Sequence, residues 1–253
     1  MKYLILLNIL LLLSAYGCKK DDKAPLPKKS IDCRFYSQIL NDTSLYVYFF
    51  NENNMPVMFI NKNLLSNDST VTTYTYNGKT VLLSDGNRIF LNENDLEDSA
   101  TFKITIAGST NVYNGYRKSF YNANKQLIKQ ISEFKIGSTL FKFEVDNIWQ
   151  SNLLVQRIEK VQSSLSGEFI TTRNYKYNST LKDQSLYWLY KFGFTGYASI
   201  LAIDEENTTI AGTTTNYKYL YKHDLNGFVT NKTIVDLSTT DTITSQIFEW
   251  SCR

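Results

Sequence analysis

Thr72-Thr73-Tyr74-Thr75-Tyr76-Asn77-Gly78-Lys79-Thr80-Val81-Leu82-Leu83 is the stretch whose reading decides the fold class. On the N-terminal side of Asn77-Gly78, aromatic side chains alternate with threonines at a period of two, the signature of a strand with one buried face. A β-branched and aliphatic run follows. Asn-Gly between two such runs is the strongest local hairpin signal, because a type I′ turn asks for positive φ at both central residues. The stretch predicts a β-hairpin, and nothing in it keeps helical spacing.

The neighbouring sequence repeats the pattern. Leu45 to Phe50 and Pro56 to Ile60 flank an Asn-rich loop and predict a second hairpin; Asp85-Gly86 turns into Arg88 to Leu91, and Thr101 to Ala107 reads as a further strand. Across the chain Tyr (18) and Phe (15) are abundant and Pro (3) is scarce, which favours pleated strands over helices.

The second half carries a loose internal repeat. Phe141-Lys142-Phe143 with Asp146 precedes Asn152 to Val155, and Tyr219-Leu220-Tyr221 with Asp224 precedes Asn226-Gly227-Phe228-Val229. A weaker copy runs from Ser119 through Asn122-Ala123-Asn124 to Ile128, and Tyr175-Lys176-Tyr177-Asn178 begins another. In each unit, aromatics at i and i+2 share a face, an Asp/Asn/Gly cluster turns, and an apolar strand returns. The expectation is an all-β, antiparallel meander of hairpins forming a large curved sheet or an open or half barrel, with room for one short helix at residues 184–201. This unit resembles the YD repeat, and the layout of residues 110–253 is similar to a group of uncharacterised Bacteroidota lipoproteins. In that group a hydrophobic segment, here Leu186 to Phe194, precedes a final Tyr-rich hairpin, here Tyr217 to Val235 with Phe248-Glu249-Trp250. The resemblance implies no catalytic residues.

The N-terminus reads as an address. Met1-Lys2, an apolar run from Tyr3 to Leu13, and small residues ahead of Cys18 are the three parts of a secretory signal. The run is too short for a spanning helix, which needs about 20 residues. Ser14-Ala15-Tyr16-Gly17-Cys18 resembles a bacterial lipobox, which implies cleavage after residue 17 and lipidation of Cys18. Residues 18–32, rich in Lys, Asp and Pro, form a solvated tether, and residues 33–253 are the β-rich domain. Lys19-Lys20-Asp21-Asp22 resembles the signal that sends Bacteroidota lipoproteins to the cell surface. A periplasm-facing outer-membrane lipoprotein is the other reading.

Loss of residues 1–17 removes only Lys2 among the charged side chains, so the mature chain stays near neutrality. With no basic stripe, nucleic acid is not a partner. Cys33 and Cys252 then remain in an oxidising compartment, where they form a disulfide or stay as two separate thiols.

Candidate chemistry is sparse. His223 is the single histidine and reads as a polar residue near a hairpin turn. The acidic clusters Glu93 to Asp98 and Asp204-Glu205-Glu206 read as solvated loops, although paired carboxylates are what glycoside hydrolysis requires. No cofactor and no metal site is implied. Trp149, Tyr187, Trp188 and Tyr190 are candidate stacking residues for sugar rings. Ser69, Ser99 and Thr242 follow Asp and resemble the Bacteroidota O-glycosylation motif. The expected function is a non-enzymatic surface module that binds a protein or glycan partner and is held to the membrane by its N-terminal lipid. A carboxylate-based glycan hydrolase or a glycan-binding protein is the alternative.

Overall fold

The structure, a computed structural model, describes residues 33–105, 111–165, 167–185, 189, 193–195 and 201–252. Strands dominate. The first eight are β1 (Cys33–Leu40), β2 (Ser44–Phe50), β3 (Pro56–Asn63), β4 (Ser69–Asn77), β5 (Thr80–Leu83), β6 (Arg88–Leu91), β7 (Glu97–Thr105) and β8 (Val112–Tyr121). Then come β9 (Leu127–Ile136), β10 (Thr139–Gln150), β11 (Leu153–Ser163) and β12 (Gly167–Lys182). The last four are β13 (Leu201–Ile210), β14 (Thr213–His223), β15 (Val229–Asp236) and β16 (Thr242–Cys252). Helical backbone among the described residues is limited to Gln184-Ser185 and Leu189, within the connection from β12 to β13.

Every strand pairs with the next in sequence, and β16 returns to β1, so the sixteen strands close into a barrel. The expected open or half barrel is thereby corrected. Alternation within each strand is visible in the sequence, but the pairing of the first strand with the last is not. Closure satisfies the two edges that an open sheet would expose.

The register also revises the opening hairpin. Asn77 pairs with Thr80, leaving Gly78 and Lys79 as the two loop residues, and Gly78 alone of these has positive φ (58°). That is the arrangement of a II′ hairpin, with Gly at the first central position. It places Tyr76 opposite Val81 rather than opposite Lys79.

One turn recurs at four hairpins. In Asn51–Met55, Asn92–Leu96, Asn122–Gln126 and Asp224–Phe228, the side-chain oxygen of the first residue accepts the backbone N–H of the third and fifth. The fourth residue takes positive φ in each (Asn54 58°, Asp95 59°, Lys125 62°, Gly227 84°). An Asx side chain stands in for backbone there, which is why Asn and Asp head these turns. The repeat units read around Asn122 and Asp224 fall on this turn. Those read around Phe141 and Tyr175 do not: Asp146 lies within β10, and Tyr177 and Asn178 continue β12. Asp204-Glu205-Glu206 likewise lies within β13 and is not a loop.

Among the described residues, two clusters of buried apolar side chains lie inside the barrel. Phe194 packs with Val81, Ile89, Leu91 and Ala100, and Leu189 packs against Tyr48, Val229 and Phe248. Both come from the β12–β13 connection, yet they reach β2, β15 and β16 on one side and β5, β6 and β7 on the other. Through these two residues the connection plugs the inside of the barrel. The physical need is volume, because sixteen strands enclose more space than their own side chains can fill.

Candidate functional site: the barrel interior

Contacts with the plug identify the inward face, and register carries it round the ring. Val81 pairs with Ile89, Ile89 with Ala100, Ala100 with Arg117, Arg117 with Ser132, Ser132 with Phe143, Phe143 with Val161, and Val161 with Phe169. Cross-strand partners share a face, so this whole row points inward. The adjacent row, Phe90-Ser99-Lys118-Ile131-Glu144-Lys160-Ile170, points outward.

The two faces differ in chemistry. Inward positions are rich in aromatics, including Tyr46, Tyr48, Phe59, Tyr74, Tyr76, Phe134, Phe141 and Phe248. Outward positions carry charge: Lys129 reaches Glu144 at 2.5 Å and Asp146 at 3.5 Å, and Lys160 reaches Asp146 at 3.3 Å. Hydrogen bonding from Lys129 holds the Glu144 carboxyl below its ordinary range. Outward positions also carry exposed apolar residues, among them Phe90, Tyr116, Phe120 and Ile148.

Three polar clusters line the interior. Near the plug, Glu97 is fully buried and receives Arg117 in a two-pronged ion pair, with Ser119 Oγ donating at 2.8 Å. In the plug itself, Asp183 meets Lys232 of β15 at 3.4 Å, and the ammonium lies 5.4 Å from the Phe248 ring centroid. The third cluster spans β11 to β14. Arg157 Nε donates to Glu159 Oε1 at 2.7 Å, and Arg173 Nη1 donates to Glu206 Oε1 at 2.8 Å. Glu206 also accepts from Thr208 Oγ1 at 2.6 Å and from the Tyr219 hydroxyl at 2.5 Å. Burial first, and then Glu206, push the Tyr219 phenol well above its ordinary range.

Of the third cluster, sequence reading singled out only Glu206, within an acidic run, and Tyr219, within a repeat unit. The signal for Arg173 was present: in Phe169-Ile170-Thr171-Thr172-Arg173-Asn174-Tyr175, every second residue is inward, and Arg173 occupies an aromatic face.

The residues singled out in the sequence are dispersed. Trp149 is inward and half-buried, its indole donating to the Leu127 carbonyl at 2.9 Å. Tyr187, Trp188 and Tyr190 lie outside the described residues, as does Cys18. Ser69 and Thr242 are exposed at the starts of β4 and β16, whereas Ser99 is buried in β7. His223 ends β14, with its Nε2 at 3.1 Å from the Lys182 carbonyl oxygen. Cys33 begins β1 and Cys252 ends β16; their side chains lie outside the described residues.

A closed antiparallel meander with Leu189 and Phe194 packed inside it and a polar cluster on the inward face of β11 to β14 defines a plugged β-barrel. No protein-family model matches the sequence, and no curated protein matches it. Among solved structures, the chain is similar to a porin-like protein from Bacteroides vulgatus, with a TM-score of 0.65 at 7% identity, covering 85% of this chain and 97% of that one. It is also similar to a porin-like protein from Bacteroides uniformis, with a TM-score of 0.58 at 13% identity, covering 87% and 98% respectively. At these identities the likeness is one of fold.

Proposed function

We propose that the chain is a non-enzymatic binding barrel, tethered to the outer membrane by acylated Cys18 and standing outside the bilayer. The distribution of charge carries this reading. A membrane-spanning barrel needs an outward apolar band about 25 Å tall, and each Lys at the bilayer midplane costs roughly 2–4 kcal/mol. Here the outward positions of β10 run Leu140, Lys142, Glu144, Asp146 and Ile148, and those of β9 include Lys129, Glu133 and Lys135. Successive outward positions lie about 7 Å apart, so no charge-free band of the required height exists on these strands.

The fold shared with Bacteroides porin-like proteins supports a Bacteroidota outer-membrane setting, and Lys19 to Asp22 supports the cell surface. A Cys33–Cys252 disulfide belongs to the same reading, as does O-glycosylation at exposed Ser69 and Thr242. The partner is taken up by the interior, where aromatic and polar side chains converge.

The test is solubility. A protein lacking residues 1–17 and carrying Cys18→Ser should be monodisperse without detergent, whereas the full precursor fractionates with outer membranes. If the leaderless protein needed detergent to remain in solution, the charged outer face would have been misread.

A further inference from the structure

We propose that the interior above the plug binds a medium-chain carboxylate, its head on Arg157 and Arg173 and its apolar chain along Phe143, Val161 and Phe169. This rests on the interior being the binding space. Arg157 and Arg173 are direct cross-strand partners on the inward face. Like charges placed opposite each other are unfavourable unless neutralised. Glu159 does this from one side, lying 2.7 Å from Arg157 Nε and 3.5 Å from Arg173 Nε.

The donors and acceptors of this cluster do not balance. Both oxygens of Glu159 face arginine nitrogens, and both oxygens of Glu206 accept hydrogen bonds. Among the described residues, the two Nη groups of Arg157 and one of Arg173 have no protein acceptor. About a third of each arginine side chain remains accessible (33% and 35%). What remains unspent is cationic, forked and reachable from the interior, which suits a carboxylate.

The wall above is apolar and wet. Phe169 is 59% exposed, and Phe143 and Val161 are each more than a third exposed, although all three face inward. Phe134 stacks on Phe141 at 5.0 Å and on Phe143 at 5.7 Å, which makes a flat aromatic surface. Phe169 precedes Arg173 by four residues, and Val161 follows Arg157 by four, so the apolar row stands about 13 Å along the strands from the arginines. Chain length is thereby matched: an apolar body of that reach covers the exposed row while its head meets the guanidinium groups.

The experiment uses the leaderless barrel, with decanoate as probe below its micellar concentration and isothermal titration as readout. Saturable binding is expected, weakened about tenfold or more by Arg157→Gln and by Phe169→Ser, and unchanged by outward Lys142→Gln. Decyltrimethylammonium, with the same chain and the opposite charge, should bind at least tenfold more weakly to the unaltered protein. Equal binding of the two probes, no binding of decanoate, or full affinity in both interior variants would each overturn the proposal. Should Arg157→Gln fail to fold, the Phe169→Ser variant and the two-probe comparison still decide it. A soluble barrel that ignores decanoate would sink this inference alone, whereas a barrel that demands detergent would sink the reading beneath it.

Discussion

Glu97 shows how much a single residue reveals here. It lies in a run of acidic residues that reads as a solvated loop, yet it is buried, doubly paired with Arg117 and bonded to Ser119. Removing one partner from a buried pair leaves a charge without solvent or counter-ion, at a cost of several kcal/mol. Arg117→Ala is therefore expected to destabilise the barrel by about 3 kcal/mol in urea unfolding; the lower end of the range applies because Arg117 keeps a third of its side chain in solvent. A change below 1 kcal/mol would mean that water reaches Glu97. Gly115 has a different constraint, since a Cβ there would fall 2.3 Å from ring atoms of Phe102. The turns are the most legible feature at this scale. Of the Asx residues that head the recurring loops, those at Asn122 and Asp224 were read in sequence, because local hydrogen bonding alone selects them.

Among the elements, the β12–β13 connection matters most. Its apolar run stands out in sequence, but that Leu189 and Phe194 pack inside the barrel follows only from the ring around them. Phe194 adopts φ of 55°, a conformation costing a bulky residue roughly 1–2 kcal/mol, and stays there because its ring is buried. Its carbonyl also accepts from the Glu97 backbone N–H at 2.8 Å and from the Tyr121 hydroxyl at 3.2 Å. Phe194→Ala is expected to cost about 3–5 kcal/mol and to speed hydrogen exchange in β5 to β7. Unaltered exchange there would show that the plug does not support those strands. A second expectation concerns β1 and β16, which close the ring. If Cys33 and Cys252 are bonded, reductant should lower the melting temperature of wild type and leave Cys252→Ser unaffected. Identical melting of oxidised and reduced wild type would count against the bond.

At the scale of the whole molecule, the aromatics are turned inside and the charges outside. Tyr48, Tyr74, Tyr76, Tyr121, Tyr219 and Tyr221 all have phenols pushed above the ordinary range, with burial as the first cause in each. A raised folded pKa means that the native state holds its protons more tightly than the unfolded chain. This contribution is complete below the unfolded value of about 10 and is lost as pH climbs beyond it toward the folded values. Alkaline titration should therefore release phenolate in two waves, the second coinciding with loss of far-ultraviolet ellipticity. One smooth titration with the fold intact would place these rings in solvent.

The sequence by itself determined the strand class, several of the turns and the alternation of faces, because each depends on interactions between residues a few positions apart. It could not determine that the meander closes, that Leu189 and Phe194 pack inside the ring, or that Arg157 and Arg173 meet there. Those depend on which strand pairs with which around the whole ring, and a period-two pattern is the same on an open sheet as on a barrel. Alternation says that two faces differ; only closure says which one is inside.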